Sequence, residues 1–361
     1  HLEQAPETIR KNMAKHNLPF SVIYKVTPET MFSGFDAYKH VIACDVDLII
    51  LTTPPVFRPI HFKAAVEAGK HVFIEKPIAV DPTGVKDVIK TSELAEKKGL
   101  TVVAGTQMRR ARHIMAGMER LHDGAIGDLL SGQSTRIGGA LSNGRQSEAI
   151  RSNSWSDMEW QLRRWLFTTW ASGDFITEQH VHNLDLVDWL MGGHPIKAIG
   201  SGGRQNRTDS IYPNVWDHIS VEYEYANGAR VTHIGSQIDG VSSRNDLRVD
   251  GTEGRLFLSF AKVSIEGKNP FKYDGPHVNP AVQEYKDTLD AIRSGNTINE
   301  GKRIAQSTMT AILGRMAAYT GRNISWDWAM NASKLDLTPK DWSWHDYPLA
   351  PVAVPGKTKL I

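Results

Sequence analysis

Cysteine is almost absent: Cys44 is the single thiol in 361 residues, so no internal disulfide can form and the fold does not depend on an oxidising compartment. No Lys/Arg-rich run occurs, and 42 basic residues against 40 acidic ones leave a net charge of +2. That balance gives neither nucleic acid nor an anionic membrane a reason to bind. No apolar run reaches the roughly 18 residues needed to cross a bilayer. The opening H-L-E-Q-A-P-E-T-I-R-K-N-M lacks an initiator Met, and also the basic start and apolar stretch of a signal peptide. It reads as a helix entered partway, so the true beginning is expected upstream, with any periplasmic export signal. Cytoplasmic location is the default expectation. Internal repeats and low-complexity segments are missing too.

What is present is the composition of a globular protein, 40% apolar and 23% charged, at a length that suits two domains with separate cores. Residues 46–53, V-D-L-I-I-L-T-T, form an apolar run ended by Pro54-Pro55, the pattern of a strand buried on both faces. An amphipathic helix follows and stops at Gly69. H-V-F-I-E-K-P at 71–77 is a second buried strand, a helix spans about 83–98, and L-T-V-V-A-G-T-Q at 100–107 is a third strand. Such alternation predicts a doubly wound α/β domain with a parallel sheet. Ligands lie off the carboxyl ends of such strands, which selects the loops Thr52-Thr53-Pro54-Pro55, Glu75-Lys76-Pro77 and Gly105-Thr106-Gln107-Met108-Arg109. Lys76 is either held at the ligand edge by the proline after it or is a lysine snorkelling from a strand end; the tripeptide alone does not choose.

A helix at 113–123 leads to a strand from Ile126 towards Arg136. The stretch to about 170 is polar and Trp-rich: Asn143-Gly144-Arg145, Trp155, Trp160, Arg163-Arg164-Trp165 and Trp170. Trp beside Arg, Asn and Gln suits a sugar face, and a helix near 157–167 packing its Trp and Leu residues inward suits the same text. Gly173–Gly192 reads as one helix. At about 100° per residue, Glu178, His182, Asp185 and Trp189 share a stripe opposite Val181, Leu184, Val187 and Met191. Alternating runs at 196–201, 215–226, 229–240 and 245–265, with an Asn227-Gly228 hairpin signal, predict a large, mainly antiparallel open sheet. Helices near 280–294 and 301–320 complete an α+β domain, and the tail from Leu337 is expected to lie as an extended arm over another surface, a second subunit being one choice.

Five segments together resemble the Gfo/Idh/MocA oxidoreductases: T-T-P-P at 52–55, A-A-V-E-A-G-K-H-V-F-I-E-K-P at 64–77, A-G-T-Q-M-R-R at 104–110, L-H-D-G-A-I-G-D at 121–128, and G-D-x-x-x-E-x-x-x-H-x-x-D at 173–185. The resemblance implies a Rossmann-type domain at 1–123, an α+β domain at 124–336 and an arm at 337–361. It also implies a Gly-rich strand–turn–helix for the pyrophosphate, which these residues do not contain. Gly200-Ser201-Gly202-Gly203 and Gly138-Gly139 lack that context and read as surface turns. An incomplete Rossmann domain, its first part expected upstream, is the preferred account. The cofactor implied is NAD or NADP, held by Thr52, Thr53, Pro54, Pro55, Glu75, Lys76, Gln107 and Arg109.

Carried over position by position, the family's catalytic lysine is Lys76, and its acid and histidine are Glu178 and His182. The acid is more usually Asp. Chemistry agrees: an imidazole suits removal of a hydroxyl proton as hydride leaves, and a lysine beside the same oxygen stabilises the alkoxide. Glu178 is expected to orient the His182 ring. Substrate contacts are expected from Lys76, Arg163, Arg164, His180, His182 and Asp185, with Arg109 able to touch cofactor or substrate. His180 and His182 point to different sides of a helix, so no metal site is expected, and His180 reads either as a buried hydrogen-bonding residue or as a substrate contact. The expected activity is NAD(P)-dependent oxidation of a secondary hydroxyl on a sugar, cyclitol or polyol, in a homo-oligomer such as a dimer or tetramer. The alternatives are a glycoside hydrolase working through transient oxidation, and a non-catalytic carbohydrate-binding protein.

Overall fold

The computed structural model describes residues 4–139 and 151–361, so Asn143-Gly144-Arg145 lie outside the described residues. It divides into two compact units, residues 1–47 and 48–361. The first carries three helices: α1 (Gln4–Lys15), α2 (Phe20–Ile23) and α3 (Ala37–Ala43). Within it Phe20 stacks on Tyr24 at 4.6 Å and Phe32 on His40 at 5.1 Å.

The second unit opens with a three-stranded parallel sheet in the order β1 (Leu48–Leu51), β2 (His71–Ile74), β3 (Val102–Ala104). The crossovers are α4 (Arg58–Glu67) and α5 (Pro82–Lys97). Asp81 caps α5 by accepting from the Gly84 amide at 2.7 Å, with Pro82 at the first helical position, where a missing N–H costs nothing. β2 and β3 are buried, but β1 is an edge strand with Ile50 50% exposed, where burial on both faces was expected. Ile49 and Leu51 point to the covered face of the sheet, and Ile50 to the other.

After α6 (Arg112–His122) the chain builds a nine-stranded sheet in the order β11-β10-β9-β8-β4-β7-β6-β5-β12. Its members are β4 (Leu129–Gly138), β5 (Lys197–Gly203), β6 (His218–Glu224), β7 (Arg230–Gln237), β8 (Arg244–Gly251), β9 (Gly254–Ser259), β10 (Val263–Gly267), β11 (Phe271–Lys272) and β12 (Ile324–Ser325). Only β4 and β7 run parallel. The Gly200–Gly203 cluster, read as a turn, is part of β5: a Cβ on Gly202 would meet the His218 carbonyl at 2.4 Å, so glycine here admits a close neighbouring backbone.

The remaining helices are α7 (Asp157–Arg163), α8 (Thr169–Ser172), α9 (Asp174–Glu178), α10 (Val181–Met191), α11 (Pro280–Ser294), α12 (Gly301–Thr320) and α13 (Trp326–Asn331). α11 and α12 match the expected bounds because each ends on a glycine in the left-handed region, Gly295 at φ 72° and Gly321 at φ 68°. The C-terminal arm lies on its own chain rather than needing a second subunit. Leu337 donates to Asp81, Trp216 to the Ala353 carbonyl and Ser333 to the Ile361 carbonyl, and Trp342 packs on Phe57 at 4.7 Å. Among the described residues, no helix is long and apolar enough to cross a membrane.

Candidate active site

Gly173–Gly192 is two helices, not one. Gly173 and Asp174 both take left-handed conformations, at φ 80° and 68°. For Asp174 that is costly, and its carboxylate is held by the amides of Phe175 (2.5 Å) and Trp216 (3.0 Å) and by the Tyr319 hydroxyl. The helical ladder then breaks at Gln179-His180. Two carbonyls freed there are taken by cations: Lys76 Nζ donates to the Glu178 carbonyl at 2.6 Å, and Arg136 Nη1 from β4 to the Gln179 carbonyl at 3.0 Å. A helix wheel across the whole segment therefore misplaces everything before Val181.

Lys76 follows β2, and its Nζ also lies 3.1 Å from Glu178 Oε1, with the two side chains 13% and 11% exposed. The Lys76–Pro77 peptide is cis. Glu178 thus pairs with Lys76, whereas it was expected to orient His182; no hydrogen bond to the His182 ring occurs among the described residues. His182 is the second residue of α10. Burial, and then the charges of Lys76 and Arg136, hold its imidazole well below the ordinary range, so the ring is neutral at pH 7.

His180 is fully buried and hydrogen-bonds His233 of β7 at 2.9 Å, which in turn contacts Ser134 of β4 at 2.9 Å. A Cβ on Gly235 would lie 2.4 Å from the His180 ring, so glycine opens the sheet face for it. Gln237 of β7 holds the Gln179 side chain and accepts from Arg207 at 3.0 Å. Asn183 donates to Asn245 at 2.9 Å and presents its oxygen to Arg136 at 3.1 Å.

Asp185 departs from its expected contact with substrate. It is 1% exposed, and its oxygens accept from Arg109 Nε (2.8 Å) and Nη2 (3.0 Å), Arg303 (2.9 Å) and Ser307 (2.7 Å). Burial opposes its ionisation, but the two guanidinium groups win and bring the carboxyl down to about 2. Arg109, expected on cofactor or substrate, is the other half of this clamp and stacks over Trp189 at 4.7 Å. Arg163 pairs with Glu159 and stacks on Trp155 at 4.3 Å, and Arg164 donates to the Ile211 carbonyl at 2.9 Å, so neither is tied to the Lys76–Glu178 group.

The loops after the three parallel strands share one edge of their sheet. Glu75 is packed so closely on Gly105 that a Cβ there would lie 2.6 Å from Oε2. Glycine at 105 leaves the room that the Glu75 carboxylate takes at the carboxyl edge of the sheet, beside Thr52-Thr53-Pro54-Pro55 and Gln107, where ligands of parallel sheets lie. Among the described residues no cluster of His, Cys, Asp or Glu could hold a metal ion. Arg136, Asn183 and His233 were not found by sequence reasoning; Asn183, directly after His182, carried the one local hint.

These features define a two-domain protein with an NAD-binding parallel layer and an open-sheet layer. Residues 23–106 match the model of the oxidoreductase family with NAD-binding Rossmann fold, and residues 116–257 that of the GFO/IDH/MocA C-terminal domain. The chain has the Gfo/Idh/MocA oxidoreductase fold. It is 25% identical over 256 residues to 2,7-anhydro-N-acetylneuraminate hydratase of Escherichia coli K12, covering 71% of this chain and 62% of that protein. To the protein of the same name from Mediterraneibacter gnavus it is 25% identical, covering 68% and 59%. The chain thus spans about six-tenths of these curated relatives. The structure of aldose-aldose oxidoreductase from Caulobacter crescentus superposes with a TM-score of 0.66 at 19% identity, covering 89% of each chain, which shows the shared fold.

Proposed function

We propose that this protein is an NAD(P)-dependent oxidoreductase that moves hydride between nicotinamide and a secondary hydroxyl of a sugar, cyclitol or related polyol. The observation that carries this reading is the Lys76 ammonium, tethered to Glu178 at 3.1 Å at the carboxyl edge of the parallel sheet, with the His182 ring at the start of α10 within the field of that charge. His182, neutral at pH 7, accepts the hydroxyl proton as the carbinol C–H leaves as hydride. Lys76 stabilises the alkoxide, and Glu178 fixes where its ammonium points. Thr52, Thr53, Pro54, Pro55, Glu75, Lys76 and Gln107 hold the nicotinamide half of the cofactor, which supplies the hydride acceptor. The pyrophosphate half needs a Gly-rich strand–turn–helix, which we place in the coding sequence ahead of His1. The working form is a homo-oligomer. The direct test is appearance of reduced nicotinamide when the full-length protein meets a panel of sugars and cyclitols with NAD or NADP. No turnover and no NAD(P)H binding by fluorescence titration would sink the enzyme reading.

The relatives named hydratase, and a Streptomyces coelicolor protein named as glycosyl hydrolase family 109 (29% identity over 132 residues), favour a second reading. In it, oxidation at one carbon acidifies its neighbour, a group is eliminated or water added, and the hydride is returned. Product formation without net reduced nicotinamide would select it.

A further inference from the structure

Most cations around the site face an acid. Lys76 faces Glu178, while Arg109, Arg110 and Arg303 face Asp185, Asp287 and Glu300. Arg58 makes no ion pair among the described residues, but its Nη1 donates to the Pro77 carbonyl, its Nε is sealed from solvent, and it lies in the field of Glu178 and Glu75. Arg136 makes no ion pair among the described residues, and Glu178, the carboxylate whose field it feels, is already committed to Lys76. Its guanidinium is nonetheless fixed. Nη1 is spent on the Gln179 carbonyl and the Asn183 oxygen, and Asn183 cannot turn away because its amide nitrogen donates to Asn245. The Phe260 ring lies 5.9 Å from the guanidinium carbon. What remains is the Nε–Nη2 edge, two parallel donors with no acceptor among the described residues. Neither is sealed from solvent, unlike Arg58 Nε and Arg207 Nη2.

We infer that Arg136 reads a carboxylate on the substrate, so that the sugar this site takes is an acid sugar. Two parallel N–H groups match the two oxygens of a carboxylate, and a rigid fork loses little freedom in binding them. One guanidinium also matches a monoanion better than a phosphate ester, which carries about −1.5 to −2 at neutral pH. Asn183, which helps hold the fork, directly follows His182, and the Arg136 charge acts on the His182 ring, so the acid group lies near the carbon undergoing chemistry.

The inference rests on the sugar reading of the same site, and binding separates it from turnover. The test titrates the full-length protein, with reduced nicotinamide present, against D-glucuronate and D-galacturonate, the neutral parents D-glucose and D-galactose, and D-glucose 6-phosphate. The acids should bind roughly 10- to 100-fold tighter than their parents and tighter than the phosphate. In R136Q the acid-to-neutral ratio should collapse towards one, and R136K should keep part of it. In the unmodified protein, acid binding alone should weaken as ionic strength rises, a readout that does not depend on a variant folding. Acids binding no better than neutral sugars, a preference for the phosphate, or a ratio preserved in a folded R136Q overturns the inference. Arg136-dependent acid binding without any nicotinamide reduction leaves it standing and removes the dehydrogenase reading.

Discussion

Lys76 reaches Glu178 twice, through the backbone carbonyl at 2.6 Å and through the carboxylate at 3.1 Å. One ammonium thereby fastens the end of a parallel strand to the broken end of a helix in the other layer. Truncation in K76M should remove the charge that stabilises the alkoxide and lower kcat by about 100- to 1000-fold. NAD(P)H affinity, measured by fluorescence titration, should change less than kcat. A variant retaining near-native kcat would show that Lys76 only joins the two layers.

His182 sets the acid limb of activity. Burial and the neighbouring Lys76 and Arg136 charges depress its pKa, so kcat/KM should stay level down through pH 6.5 and fall only in more acid solution. Removing a positive neighbour makes protonation easier, so in K76M the ring should titrate at higher pH, read from its NMR resonances. A limb at or above the ordinary histidine range would contradict the neutral base.

The Asp185 clamp makes a stability prediction. D185N leaves Arg109 and Arg303 facing a neutral amide in a buried setting, which should cost about 3 kcal/mol. Because the folded carboxyl lies at about 2 and an unfolded Asp near 3.9, this contribution is present above pH 4 and fades as pH falls towards 2. Urea denaturation of native protein and D185N across that window would show the two curves converging on the acid side.

Glu284 of α11 behaves in the opposite sense. Burial, opposed by Arg110 and assisted by Glu300 and Glu75, pushes its carboxyl up to about 8. A raised folded pKa means stability is full below about 4.3, the unfolded value, and is lost as pH rises through 8. E284Q mimics the protonated acid, so its melting temperature should match the native protein near pH 5 and exceed it near pH 9.

Gly105 tests the cofactor edge. A methyl group there meets Glu75 Oε2 at 2.6 Å, and the end of that flexible side chain can move aside. G105A should therefore fold, with a stability loss within about 1 kcal/mol, yet weaken NAD(P)H binding about five-fold through the displaced carboxylate. Equal Kd values for the two proteins would remove Glu75 from the cofactor contacts.

Much of this architecture follows from local sequence alone. Pro82, Asp81, Asn279, Gly295 and Gly321 mark helix ends because capping and left-handed termination depend on one or two neighbouring residues. Hydrophobic alternation likewise predicts the open sheet, since period-two burial is written along each strand. Lys76 and His182 were visible as types in the right order.

Tertiary structure decided which groups face one another. A wheel drawn through Gly173–Gly192 assumes an unbroken ladder, but Lys76 and Arg136, 102 and 43 residues from their acceptors, take the Glu178 and Gln179 carbonyls. The same long-range pairing turned Asp185 from a substrate ligand into the partner of Arg109 and Arg303. It also left Arg136, an unmarked strand residue in the sequence, without an ion pair among the described residues. Charge pairing and carbonyl capture act between segments distant in sequence, so only the folded chain determines them.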